Sequence, residues 1–257
     1  MKEINWKDNL RIAWLGSFLT GACISLVVPF MPIFVEQLGV ESSQVTFYSG
    51  LAISVSAISA ACVSPLWGIL ADRYGRKPMM IRAGLAMTLT MGGLAFVPNV
   101  YWLLALRLLN GVFTGFVPNA TALIASQVPK DKSGYALGTL SSGVVAGTLT
   151  GPFVGGMIAE FFGIRNVFLM VGGFLFLAAI LTIFFIKEDF HPASKGKAIQ
   201  TKDLFTSVKY PYLLFNLFAT SFVIQVAAQS VGPILALYIR DLDQKENLLF
   251  VSGLIVS

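Results

Sequence analysis

The sequence predicts an all-α membrane protein, and three observations carry that prediction. Hydrophobic residues fill 56% of the 257 positions and charged residues only 12%, whereas a soluble domain of this length has about a quarter of its residues charged. The apolar residues gather into uninterrupted runs of about 20, the length a helix needs to cross a bilayer, and the mean hydropathy is +0.76. The charges collect in short segments between those runs. Lipid is therefore the solvent for most of the chain.

The spans follow in order. Met1 to Arg11 is polar and has no small-residue cleavage site behind a short apolar core, so it does not read as a removable signal peptide. Apolar windows predict helices over 12–35, 47–70, 79–97, 102–125, 134–160, 166–186 and 212–238. An eighth run opens at Leu248 and reaches only to Ser257, too short to cross about 30 Å of hydrocarbon at 1.5 Å per residue. This predicts a longer protein. Residues 1–186 are expected to form an N-terminal six-helix bundle, 187–211 a cytoplasmic central linker, and 212–257 the start of a second bundle, with span seven and part of span eight. The linker is the one sizeable polar stretch, with Lys187, Glu188, Asp189, His191 and Pro192 at its head.

Charge predicts orientation. Of the 18 Lys and Arg residues, 14 fall in the N-terminus, 71–82, 126–133 and 187–211, which alternate onto one side. The other side holds Arg165, Arg240 and Lys245, and the loop at 36–46 has Glu36 and Glu41 but no base. The positive-inside rule makes the N-terminus cytoplasmic. Trp6, Trp67 and Trp102 fall at headgroup depths in this frame.

Several functions are excluded by inventory. Cys23 and Cys62 lie inside apolar runs and read as small buried hydrophobes. His191 is the single histidine, so no metal site can be assembled. The net charge of +5 comes from the sidedness of the loops, and no basic face with interleaved aromatics exists for nucleic acid. Seven spans also suit a retinal protein, but span seven has no lysine for a Schiff base, Lys209 lying before it. With no midplane acid pair and no nucleophile–base pair, no enzyme is predicted and no catalytic residue is named.

The turn between spans two and three reads Gly68-Ile69-Leu70-Ala71-Asp72-Arg73-Tyr74-Gly75-Arg76-Lys77-Pro78. Gly75 permits a sharp reversal, and Pro78 suits a first helical turn. Asp72 lies at the carbonyl end of span two, where the helix dipole disfavours an anion, so it needs a cation or another helix's N-terminus. A local Asp72–Arg76 pair in a solvated loop is one reading, and a conformational latch is the other. Span four contains Arg107-Leu108-Leu109-Asn110-Gly111-Val112-Phe113-Thr114-Gly115. A buried arginine costs about 2.5–3.5 kcal/mol on insertion scales, so Arg107 either faces the bundle interior for a function or snorkels outward past Trp102. Span five carries Gly143, Gly147, Gly151 and Gly155 at four-residue spacing, with Pro152 and Gly156 beside them. That spacing predicts a smooth face for close helix approach. Span one is expected to be bent and interrupted at Pro29 and Pro32, and Ser221, Gln225 and Gln229 form a polar stripe on span seven.

The turn resembles the signature cytoplasmic loop of the major facilitator superfamily. The resemblance implies that Asp72 and Arg73 take part in a charge relay that steadies the outward-facing state, with Gly68, Gly75, Arg76 and Lys77 supporting it. The span-four motif resembles that family's proton-transfer signature, which implies such a role for Arg107; Asn110 and Phe113 depart from the usual glutamine and glycine. The span-five motif is similar to the antiporter motif of bacterial twelve-span drug/proton exporters. By resemblance, then, the chain is expected to belong to a multi-pass exporter in the bacterial plasma membrane, conferring antibiotic resistance by proton-coupled efflux of lipophilic or cationic drugs. It would use alternating access, no cofactor beyond the proton gradient, and a monomer when complete. Asn110, Ser221, Gln225 and Gln229 are the cavity candidates. No acid lies in the middle of a span, so Glu36, at the outer end of bent span one, is the first candidate for the coupling proton, on the expectation of partial burial. An importer of a sugar, organic acid or peptide is the alternative.

Overall fold

The computed structural model describes residues 5–190, 212 and 215–227. Six helices or helix pairs among these are long and apolar enough to cross a membrane, so this is a multi-pass membrane protein. Asn5 starts α1 (Trp6–Val27) by accepting a hydrogen bond from the Lys7 amide at 3.1 Å. The span then breaks over Val28 to Phe30 and resumes as α2 (Met31–Gln37). Pro29 and Pro32 each remove a helix donor, and Pro32 suits the first turn of α2. The interruption expected from the sequence is present.

The second and third spans are α3 (Ser42–Tyr74) and α4 (Arg76–Gly93), which reverse at Gly75 with φ +101°. The fourth span is two helices, α5 (Val100–Phe113) and α6 (Phe116–Gln127). The fifth and sixth are α7 (Ser133–Phe162) and α8 (Ile164–Phe185). A further apolar helix, α9 (Phe215–Ala227), lies within the predicted seventh span. The rest of that span, most of the linker and the eighth run lie outside the described residues.

Three seams pair the spans, α1 on α7, α4 on α8 and α3 on α5, and contacts of α1 with α8 and of α4 with α5 and α6 join the pairs. The first follows from the glycines. A Cβ at Gly147 would stand 2.1 Å from the Phe18 carbonyl oxygen, one at Gly151 2.5 Å from that of Ala22, and one at Gly143 2.9 Å from that of Trp14. The glycine stripe therefore lets backbone meet backbone. Polar bonds pin the seam, Ser25 donating to the Thr148 carbonyl at 2.7 Å and the Trp14 indole to Ser142 at 3.2 Å. The core divides into two clusters. One, near the predicted outer ends, contains Phe30, Phe34, Met91 and Phe168. The other, near the end bearing the N-terminus, contains Leu10, Met80, Phe116 and Ile124. That second end carries the Gly75 turn, the Lys130–Lys132 turn and the exit of α8, and is called the basic end below.

Candidate functional site

The candidate functional residues gather at the basic end and in the middle of α5. At the turn after α3, Arg76 Nη2 lies 2.5 Å from Asp72 Oδ1, so the local pair is formed, while the Arg73 guanidinium rests over the Tyr74 ring at 5.4 Å. The first turn of α4 goes to a residue the sequence did not single out as a site. Glu188, just beyond α8, accepts the Arg76 and Lys77 backbone N–H groups on its two carboxylate oxygens, each at 2.7 Å. A carboxylate on two orphan N–H groups at a helix N-terminus is favoured by both hydrogen bonding and the dipole. Lys77 Nζ in return donates to the Ile183 carbonyl at 2.9 Å, near the carbonyl end of α8. The two antiparallel helices thus cap each other.

Gly75 is required twice over. Its φ is in the left-handed range, and an added Cβ would lie 2.8 Å from Glu188 Oε2. Beside it, buried Asn9 on α1 donates to Gln127 Oε1 on α6 at 2.7 Å and to the Lys187 carbonyl at 2.6 Å, and accepts from the Lys187 amide at 2.9 Å. Five helix ends are tied into one polar belt. Nothing in sequence spacing links residues 9, 76, 127 and 188; only the packing does.

The break in the fourth span was not expected from the sequence. Gly115 adopts φ +135°, and Pro118 has no N–H to give to the Thr114 carbonyl four residues back. Two carbonyls there find side-chain donors instead. Trp67 Nε1 donates to the Val112 carbonyl at 2.6 Å, and Arg82 Nη2 to that of Thr114 at 3.3 Å. The Arg82 guanidinium also stacks on the Trp67 ring at 3.4 Å from its centroid. Trp67 thus caps a broken helix, a more specific job than the headgroup anchor predicted for it. Arg82 keeps Nε and Nη1 buried without a hydrogen-bond partner among the described residues. A cavity of about 360 Å³ opens here between α3 and α6, lined by Gly68, Arg76, Gly115 and Asn119 among others. The loop signature and the span-four break therefore meet in one place. The Gly-x-x-Pro run at 115–118 was the available signal.

Arg107 is buried, with 6% of its surface exposed, which decides against snorkelling. Its Nε donates to the Ala52 carbonyl on α3 at 3.2 Å, its Nη1 approaches Met91 Sδ at 3.9 Å, and it makes no ion pair with a described residue. Ser56 and Ser59 donate to the Arg107 and Leu108 carbonyls at 2.7 and 3.0 Å, and a Cβ on Gly111 would stand 2.0 Å from the Ser59 hydroxyl oxygen. The arginine is thus fixed where α3 and α5 cross closely. Asn110 is buried too and accepts from Thr90 on α4 at 3.0 Å, so its amide oxygen is used between helices.

Glu36 differs from expectation: it is exposed at the end of α2, because that helix buries Met31, Pro32, Phe34 and Val35 and turns the glutamate outward. Gly143, Gly147, Gly151, Pro152, Gly155 and Gly156 are all buried on α7. Ser221 and Gln225 lie exposed on α9, and Gln229 falls outside the described residues.

The broken first and fourth spans, the buried arginine and the loop signature are carried by a chain that matches the sequence profile of the Major Facilitator Superfamily over residues 13–257. It belongs to that superfamily. The whole chain is 84% identical to the multi-drug resistance efflux pump PmrA of Streptococcus pneumoniae strain TIGR4, of which it covers 64%. It is 54% identical to the PmrA homolog of Lactococcus lactis strain IL1403, again over the whole chain and 64% of that protein. The chain therefore spans slightly less than two thirds of the length of the curated relatives it matches. Among solved structures, the POT family transporter PepTSo superposes with a TM-score of 0.66 at 14% identity, covering 98% of this chain and 52% of that one. That likeness is one of fold alone. The superfamily bundle accounts for the six spans, with the Gly75 turn joining its second and third.

Proposed function

We propose that the protein is a secondary transporter of the bacterial inner membrane that exports small lipophilic or cationic drugs in exchange for protons, with its N-terminus in the cytoplasm. The observation that carries this reading is the 84% identity, over the entire chain, to a multidrug efflux pump. Substitutions at one position in six leave little room to rebuild a binding cavity for a different class of cargo. The geometry adds support. Spans one and four are both interrupted, and broken helices are the usual wall of a transport pathway at the membrane midplane. The α1–α7 seam and the polar belt make the six-span half stiff enough to rock as one body against the rest of the transporter.

In this reading Asp72, Arg73 and Arg76 form the latch, and the Asp72–Arg76 pair is its disengaged form. Arg107 supplies a fixed positive charge that a proton on a neighbouring carboxyl would modulate. Glu36, exposed at the outer end of α2 and not among the hydrogen-bond partners described for Arg107, is the candidate coupling carboxyl within this chain, reached from the outer face. No cofactor is invoked, and the complete transporter acts as a monomer. Everted membrane vesicles test it: an imposed proton gradient should drive accumulation of a lipophilic dye, and a protonophore should abolish it. Dye transport insensitive to the protonophore would refute the coupling, and gradient-driven nutrient uptake without dye transport would refute the exporter. Glu36→Gln should abolish the gradient dependence; full coupling in that variant removes Glu36 from the mechanism.

A further inference from the structure

A second cavity, about 630 Å³, is not used by this mechanism. It opens between α1 and the start of α7 at the basic end, and is lined by Trp6, Lys7, Arg11, Trp14, Lys132 and Tyr135 among others. Three cations face it, all on exposed residues. The acid nearest in sequence, Asp8, is 3.6 Å from Arg11 and neutralises at most that one charge. Lys7 and Lys132 make no ion pair with a described residue. Asp131 shares the turn with Lys132 but does not line the cavity.

The cavity is graded along the membrane normal. Trp14 lies eight residues beyond Trp6, about 12 Å deeper at 1.5 Å per residue. It stacks on Phe18, with ring centroids 5.7 Å apart, and so ends the cavity in apolar surface. Trp6 carries the Lys7 ammonium at 5.8 Å from its ring, and Tyr135 is 71% exposed. Cations and the Trp6 ring at the rim, with the Trp14 ring and Phe18 deeper, match one kind of molecule: an anionic head with an apolar tail. A soluble anion would leave the aromatic floor unused, and a neutral lipophile would leave two unpaired ammonium groups facing it.

We infer that this groove binds an anionic phospholipid of the inner leaflet, its phosphate among Lys7, Arg11 and Lys132 and its acyl chain along Trp14. The leaflet follows from the orientation proposed above; the headgroup preference does not depend on it. Such a lipid would brace the lower end of the α1–α7 seam.

Tryptophan quenching tests the site in nanodiscs with the same composition on both faces, so that neither orientation nor transport enters the result. Phosphatidylglycerol with brominated acyl chains should quench more strongly than brominated phosphatidylcholine at equal mole fraction. Each of Lys7→Gln, Arg11→Gln and Lys132→Gln should weaken the preference about fivefold. Trp6→Phe with Trp14→Phe should remove the preferential part of the signal. Unchanged unfolding of the glutamine variants in phosphatidylcholine would confirm that their fold is intact. Equal quenching by the two lipids, a preference that survives the triple substitution, or equal competition by soluble glycerol phosphate would each overturn the inference.

Discussion

Glu188 shows how much one side chain can organise. Its carboxylate takes two N–H groups that α4 cannot satisfy internally, and it lies against Gly75, where only hydrogen fits. Removing it leaves both donors and the dipole of α4 uncompensated. Glu188→Ala should therefore lower stability by about 1–2 kcal/mol, seen as a lower unfolding midpoint in detergent. Gly75→Ala should do the same by a different route, strain plus displacement of Glu188. If the two substitutions are fully additive, the contact between them is not the one described. Arg107 sits at the same scale with the opposite logic. Its guanidinium is held by a carbonyl and a thioether, so Arg107→Lys keeps the charge but loses the planar donor geometry. Drug export should drop at least tenfold in that variant while the amount of folded protein stays near wild type. Normal export would separate Arg107 from the coupling mechanism.

At the scale of elements, the α1–α7 seam and the break in span four make contrasting demands on glycine. Gly147→Ala forces a methyl group to within 2.1 Å of the Phe18 carbonyl oxygen, so the helices must part, at a cost of about 1–3 kcal/mol. Gly138, on the same helix, has nothing within 4 Å of an added Cβ. Gly138→Ala should stabilise the helix by about 0.5–1 kcal/mol. Opposite shifts of the unfolding midpoint check the pair together. The span-four break depends on backbone conformation: Gly115→Ala must hold φ +135° with a side chain, at about 1–3 kcal/mol. Trp67→Phe removes the donor to Val112 and should loosen the same break. Faster hydrogen exchange confined to residues near 112–118 would confirm it.

At the scale of the whole molecule, the polar belt and the three seams predict that the six spans move together. Sidedness can be mapped by replacing Cys23 and Cys62 with serine and placing single cysteines at Lys132 and Ser42. In intact cells an impermeant thiol reagent should label the Ser42 site and leave the Lys132 site unlabelled until the membrane is opened. The reverse pattern would invert the topology and, with it, the assignment of the latch to the cytoplasm.

The sequence by itself determined the class of solvent, the number and approximate limits of the six described spans, the bend at Pro29–Pro32 and the face used by the glycine stripe. Each of these is a local property: hydropathy over twenty residues, a missing N–H, a four-residue period. Tertiary structure alone decided which charge satisfies which helix end. Glu188 reaches α4 from 111 and 112 positions away, Asn9 reaches Lys187 from 178, and Arg82 finds the one carbonyl that Pro118 leaves free. Glu36 points outward because its helix had other residues to bury. Inside a membrane no water is at hand to satisfy a polar group, so distant side chains must do so. No periodicity records those long-range partners, and only the packing of the bundle brings them together.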